Sequence, residues 1–243
     1  MEATLFYLPP SPWSQKVRCV LRHHGISPRH ERAYAPLIDE LGLRWRLSKW
    51  SGRVTVPVLF TPERALTDSF EIARYADERG TGTKLFPADR ASELLHWNAC
   101  SERLLNAGRG LAMLRMLESP AAAHEMLPPG PAKLLSPGVA LLAMRAFNAK
   151  YGITATDRTQ YHASARSELL RLREALAGGR RYLFGALSYA DFEMASSLIL
   201  LGPVPESPHG PASRKVMTDP TLASEFSDLT AWRNAFHADH PLV

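Results

Sequence analysis

Strand-like stretches are confined to the first third of this chain of 243 residues, and that restricts it to a small α/β domain followed by an all-helical one. Up to about Arg79, short apolar runs alternate with helical periodicity. Leu5 to Leu8 reads as a strand. Pro12 to His24 carries apolar Val17, Cys19, Val20 and Leu21 with polar Gln15, Lys16, Arg18 and Arg22 at helical spacing. Pro12 suits the first helical position and Gly25 the stop. Arg29 to Ala33 reads as a second strand and Leu37 to Leu47 as a helix. Val56 to Phe60 and Ala65-Leu66 form a hairpin around Thr61-Pro62-Glu63-Arg64, and Ser69 to Arg79 is the closing helix. The expected order is βαβαββα.

Gly80-Thr81-Gly82-Thr83 and Pro87 break this pattern, and no strand signal of any strength follows. The reading is therefore an α/β domain over 1–80, a linker over 81–90 and an all-α domain over 91–243. Helices are expected at about Ala91 to Leu117, Val139 to Lys150, Asp157 to Ala177, Ser188 to Leu201 and Leu222 to His237. Pro120 to Pro137 reads as a Pro- and Ala-rich interruption and Pro203 to Pro211 as a loop.

Composition narrows the function classes. No apolar run approaches the roughly 18 residues of a membrane span, so no membrane partner is expected. Met1-Glu2-Ala3-Thr4 lacks the basic flank of a signal peptide, which makes the cytoplasm the expected compartment. Cys19 and Cys100 lie too far apart for a C-x-x-C or zinc-ligand spacing and read as core residues, so no metal is expected. The net charge of +5 is spread along helices rather than gathered into an arm, which argues against nucleic acid. His23, His24 and His124 sit among polar residues and read as solvated surface histidines.

Two stretches carry chemistry. Ser11-Pro12-Trp13-Ser14 follows the first strand and opens the first helix, where free N–H groups and the positive end of the dipole favour an anion. Ser before Pro is also a good N-cap in its own right. Thioredoxin-like chains place the first cysteine of C-x-x-C at such a position. Here S-x-x-S stands instead, so a sulfur handled at this place must arrive with a ligand. Asp68-Ser69 opens the closing helix, where an acidic cap is likewise favourable. Ser188-Tyr189-Ala190-Asp191 has capping-box spacing: Ser188 and Asp191 can satisfy each other's backbone N–H, and Leu187 can staple against Phe192. This motif is structural, worth about 1 kcal/mol.

In its element order and in four motifs the chain resembles the cytosolic glutathione transferases, in a serine-type, bacterial-like branch. The motifs are the Ser-Pro-x-Ser helix start, Val56-Pro57-Val58-Leu59, Asp68-Ser69, and Phe184 to Phe192 with its capping box. The resemblance implies a thioredoxin-like N-terminal domain, glutathione as co-substrate and a homodimer. It implies that Ser11, or as second choice Ser14, donates a hydrogen bond to the glutathione sulfur. Lowering a thiol pKa by two units takes about 2.7 kcal/mol, the order of one charged hydrogen bond plus a helix dipole. Other branches use a tyrosine at the position of Tyr7, which here reads as strand core.

The resemblance also implies a cis Val56-Pro57 bond whose Val56 backbone pairs with the cysteinyl part of glutathione. Ser69 would take the γ-glutamyl carboxylate and Asp68 the α-amine. Lys49 and Arg53 are the basic residues placed for the glycyl carboxylate, although Trp50-Ser51-Gly52-Arg53-Val54-Thr55 departs from the usual Asn-Pro-x-Gly-Lys. A small apolar electrophile is expected between the domains, by Trp13 and the helix carrying Asn106, Arg109, Met113 and Met116. Ser119 to Pro137 departs from a compact member. The function implied is conjugation of the glutathione thiolate to an electrophile, in detoxification. The alternatives are a non-catalytic binding or interaction module on this fold and a glutathione-dependent reductase, the latter disfavoured by serine in place of cysteine.

Overall fold

The computed structural model describes residues 2–35, 39–127 and 131–242. It separates into two compact units, Met1–Leu94 with His240–Val243, and Leu95–Asp239.

The first unit runs β1 (Thr4–Tyr7), α1 (Pro12–His23), β2 (His30–Ala33), α2 (Glu40–Arg46), β3 (Val58–Phe60), β4 (Ala65–Leu66) and α3 (Ser69–Arg79), the βαβαββα order of a thioredoxin-like domain. The sheet order is β2-β1-β3-β4, with β1 parallel to β2 and antiparallel to β3, and β3 antiparallel to β4. Alternation along the strands makes two cores. Leu5, Leu59 and Leu66 are cross-strand partners on one face. Phe6 and Val58 pair on the other, where Tyr34, Leu43 and Val54 join them. Of the expected helix from Leu37, the residues Leu37 and Ile38 lie outside the described residues; the remainder forms α2.

α1 is more deeply enclosed than its polar residues suggest. Gln15 and Lys16, expected on its polar face, are buried, and the Gln15 amide donates to the Pro9 carbonyl at 3.1 Å. His24, read as a surface histidine, is also buried, with Nε2 3.4 Å from Asp77 Oδ1. The cause is the segment after α3. Thr81 N–H donates to the His24 carbonyl at 3.0 Å. A Cβ at Gly80 would lie 2.3 Å from His24 Cβ, and one at Gly82 would lie 2.3 Å from the His23 carbonyl oxygen. The glycines expected to end the domain are thus there because the chain presses against the end of α1. Leu85 is buried, its N–H donating to Asp77 Oδ1 at 2.5 Å, and Phe86 packs edge-on against Phe70. The compact unit continues to Leu94. Its last pieces come from the C-terminus: Arg22 donates to the Pro241 carbonyl at 3.3 Å, and Leu242 is buried.

Among its described residues the second unit holds helices and no strand: α4 (Ala91–Met116, whose first turn belongs to the first unit), α5 (Pro120–Glu125), α6 (Pro137–Tyr151), α7 (Arg158–Ala175), α8 (Tyr189–Ser197), α9 (Pro211–Met217), α10 (Pro220–Glu225) and α11 (Ser227–Asp239). The stretch from Pro120, expected as an interruption, contains α5, and α9 follows the expected loop. In α5, α6 and α10 proline stands in the first turn behind a capping side chain. Ser119 Oγ accepts from Ala122 N–H, Ser136 Oγ from Val139 N–H, and Asp219 Oδ1 from Leu222 N–H. Proline there starts a helix instead of breaking one. Met113 and Met116 lie in the core of this unit. The capping box at the start of α8 is formed: Asp191 Oδ2 accepts from Ser188 N–H at 2.9 Å and from Ser188 Oγ at 2.8 Å, while Oδ1 accepts from Leu183 N–H.

Candidate active site

The strand registers bring three of the motifs to one end of the sheet. Phe6 lies opposite Val58, so the chain leaving β1 passes alongside Val56-Pro57 as it enters β3. Leu59 lies opposite Leu66, so the chain leaving β4 reaches Asp68 at the same level. β1 and β4 run in the same direction, and both α1 and α3 begin at this end. Two helix N-termini therefore begin at one end of the sheet, an arrangement suited to binding anions.

Ser11 occupies the N-cap position of α1 with extended backbone, φ −80° and ψ 123°, yet its side chain makes no capping bond. Its backbone is fixed, accepting from Gln15 N–H and donating to the Leu8 carbonyl, each at 2.9 Å. The hydroxyl is half-buried and unused by the cap. Ser14 differs: it is fully buried, and its Oγ accepts from Leu8 N–H at 3.0 Å, tying α1 to the end of β1. Tyr7 has its ring covered by the Arg18 guanidinium, 4.6 Å from the centroid, and Arg18 is held by Glu31 at 3.2 Å.

The Val56–Pro57 peptide bond is cis. Val56 itself stands outside the strand ladder, before β3 begins. Asp68 caps α3, its Oδ1 accepting from Phe70 N–H at 2.9 Å and Glu71 N–H at 3.0 Å, while Ser69 is buried as the first helical residue. Lys49 and Arg53 line a cavity of about 240 Å³ together with Leu47, Thr55, Ala65 and Thr67, one residue short of Asp68. The loop that carries them is organised by a residue with no motif to mark it. Arg44 pairs with Glu40 at 2.8 Å and donates to the carbonyls of Lys49 and Gly52 at 3.4 and 3.1 Å. The only sequence signal for it was Glu40 and Arg44 at i, i+4 spacing.

The two cysteines are elsewhere, and both are buried. Burial pushes the Cys19 thiol up to about 12 and the Cys100 thiol up to about 11. Among the described residues no group of histidine, cysteine and carboxylate side chains could hold a metal ion, and no helix is long and apolar enough to cross a membrane. Asn106 and Arg109 bond to each other on α4, and Arg109 lies 4.5 Å from the Tyr151 ring centroid.

No curated protein matches the chain. Solved structures do. A glutathione S-transferase from Methylobacillus flagellatus KT, with glutathione bound, is 18% identical with a TM-score of 0.62, over 97% of this chain and 94% of that one. Glutathione transferase GSTFuA3 from Phanerochaete chrysosporium is 16% identical with a TM-score of 0.66, over 98% and 97%. A glutathione transferase family member from Pseudomonas fluorescens Pf-5, with bound glutathione, is 19% identical with a TM-score of 0.58, over 99% and 96%. At these identities the likeness is one of fold. The family model described as "Glutathione S-transferase, N-terminal domain" matches residues 10–79, the stretch that holds Ser11, Val56-Pro57 and Asp68-Ser69. Residues 10–79 thus match the glutathione S-transferase N-terminal domain, and almost the whole chain carries the fold of these solved glutathione transferases.

Proposed function

We propose that the chain binds glutathione at the sheet end where α1 and α3 begin, and transfers its thiolate to a small electrophile. The observation that carries this reading is Ser11: a half-buried hydroxyl, fixed at a helix N-terminus and left unused by the helix cap. There the hydroxyl donates to the glutathione sulfur, and the dipole and N–H groups of α1 favour the thiolate over the thiol. Ser69 takes the γ-glutamyl carboxylate at the start of α3, the Val56 backbone takes the cysteinyl part, and Lys49 or Arg53 the glycyl carboxylate across the small cavity. Asp68 faces the α-amine while its Oδ1 holds the cap. Catalysis is thiolate activation followed by attack on a carbon held close by. Structural relatives described with glutathione bound support the co-substrate.

Ser14 is the weaker choice for the thiol contact, being enclosed and engaged with Leu8. A reductase built on a protein thiol is disfavoured by the burial of both cysteines.

Calorimetric titration with glutathione, with ultraviolet absorbance read for the bound thiolate, tests the reading. Saturable binding that Ser69→Ala weakens at least about tenfold, the equivalent of one hydrogen-bonded charge, supports it. No binding at millimolar glutathione refutes it and leaves a non-catalytic module.

A further inference from the structure

Large apolar side chains left in solvent are unevenly distributed on this protein, and the first unit holds three of them in one short stretch. Leu41 and Trp45, at i, i+4 on α2, are each 71% exposed, and Trp50 just beyond the helix is 67% exposed. Tryptophan is rarely so open on a protein surface. The chain from Leu41 to Pro62 contains no acidic residue, while Arg44, Arg46, Lys49 and Arg53 all fall within it. The two acids at the head of the helix are engaged: Glu40 with Arg44 at 2.8 Å, and Asp39 with the Ala35 N–H at 2.8 Å.

The neighbouring strand adds to the positive field. Arg32 of β2 lies 5.2 Å from the Phe6 ring centroid, and Arg46 lies 5.3 Å from it and 4.4 Å from that of Phe60. Both guanidinium groups therefore pack on the Phe6 ring, and that of Arg46, the last residue of α2, on Phe60 as well. Protruding tryptophan and leucine ringed by arginine and lysine is the composition of a segment that seats in the headgroup layer of an anionic bilayer, with indole rings at the interface and cations among the phosphates. Like charge opposes burial of this face against a second copy of itself.

We propose that the α2 surface, with Leu41, Trp45 and Trp50 as its inserting side chains, is a peripheral docking site for anionic lipid bilayers. Such a contact lies on the membrane surface and needs no spanning helix. Its inserting side chains are not among those assigned to glutathione, whereas Lys49 and Arg53 are common to both surfaces.

The test is co-sedimentation of the whole protein with phosphatidylcholine vesicles, with and without phosphatidylserine at about 30 mol %, alongside the intrinsic tryptophan emission. The expected result is binding at least about tenfold tighter to the anionic vesicles, reversed by salt, with emission shifted to shorter wavelength. Trp45→Ala with Trp50→Ala should abolish the shift and weaken binding about tenfold or more. Both residues are exposed, and an unchanged unfolding midpoint verifies that the variant is folded. No binding of the parent to anionic vesicles overturns the proposal. So does binding that the double variant retains in full, which would report only net charge. A lipid-free parent that sediments as an oligomer which the double variant dissociates overturns it as well, since the face would then be covered by a second copy.

Discussion

Ser11 and Ser14 lie one helical turn apart and should separate cleanly when each is replaced by alanine. Ser14→Ala removes the oxygen that accepts the Leu8 N–H at 3.0 Å inside the protein. A donor deprived of its buried acceptor costs about 1–3 kcal/mol. In a chain of this length each kcal/mol moves the thermal midpoint by about 2–4 °C, so a fall of about 2–12 °C is expected. Ser11→Ala removes a hydroxyl that makes no capping bond, and the usual cap penalty of about 1 kcal/mol should be absent, leaving the midpoint within about 2 °C of the parent. Bound glutathione should respond in the opposite sense. Loss of one hydrogen bond to a charged sulfur, about 1.5–3 kcal/mol, raises its thiol pKa by about one to two units in Ser11→Ala. Ser14→Ala should leave that pKa near the parent value. The assay is calorimetric melting of both variants, paired with absorbance titration of the bound thiolate. The reasoning fails if Ser11→Ala melts early while Ser14→Ala raises the thiol pKa.

Two further outcomes follow from features outside the site. His209 is buried beside Ser207, 2.5 Å away, and burial pushes its pKa down to about 4, with Arg214 acting in the same direction and Glu125 against it. The unfolded chain protonates first, so this stability is present above about pH 6.5 and lost as pH falls toward 4, a loss of about 3 kcal/mol. Burial raises Asp191 to about 6, which acts in the opposite sense over a similar range, so the parent's own pH profile hides the effect. Urea unfolding of parent and His209→Gln at pH 7.5 and 4.5 isolates it: the stability difference between them should shift toward the variant at low pH, and parallel profiles would exclude the assignment. Gly80→Ala drives a Cβ to 2.3 Å from His24 Cβ and 2.6 Å from its carbonyl, so a destabilisation of about 1–3 kcal/mol or more is expected by the same measurement, whereas a neutral result would mean that the segment after α3 shifts freely.

What could be read in the sequence was local. α3 begins at Ser69 as expected because Asp68 is an autonomous cap. The βαβαββα order followed from apolar periodicity, and the capping box at Ser188 from spacing alone. Residues buried by distant parts of the chain were not legible. His24 and Lys16 look like surface residues on a helical wheel, and His24 is enclosed by the segment from Gly80 to Leu85. The Pro-rich stretch misled for a different reason: proline was weighed as a breaker where a serine immediately before it made it a starter. Within the candidate site, Ser11, Pro57 and Ser69 announce themselves by motif, whereas Arg44 acts on backbone carbonyls and is marked only by its i, i+4 spacing from Glu40.

The segment from His240 to Leu242, laid against α1, makes the first unit discontinuous along the chain. A ribosome that has finished Leu94 has delivered nearly all of this unit, but it must synthesise the whole helical unit before Pro241 and Leu242 can cover Cys19, whose Sγ lies 3.7 Å from the Pro241 carbonyl oxygen. During that interval the outer side of α1 is open and its thiol uncovered. Substitutions at Pro241 or Leu242 would therefore register first in the unit that was made at the beginning.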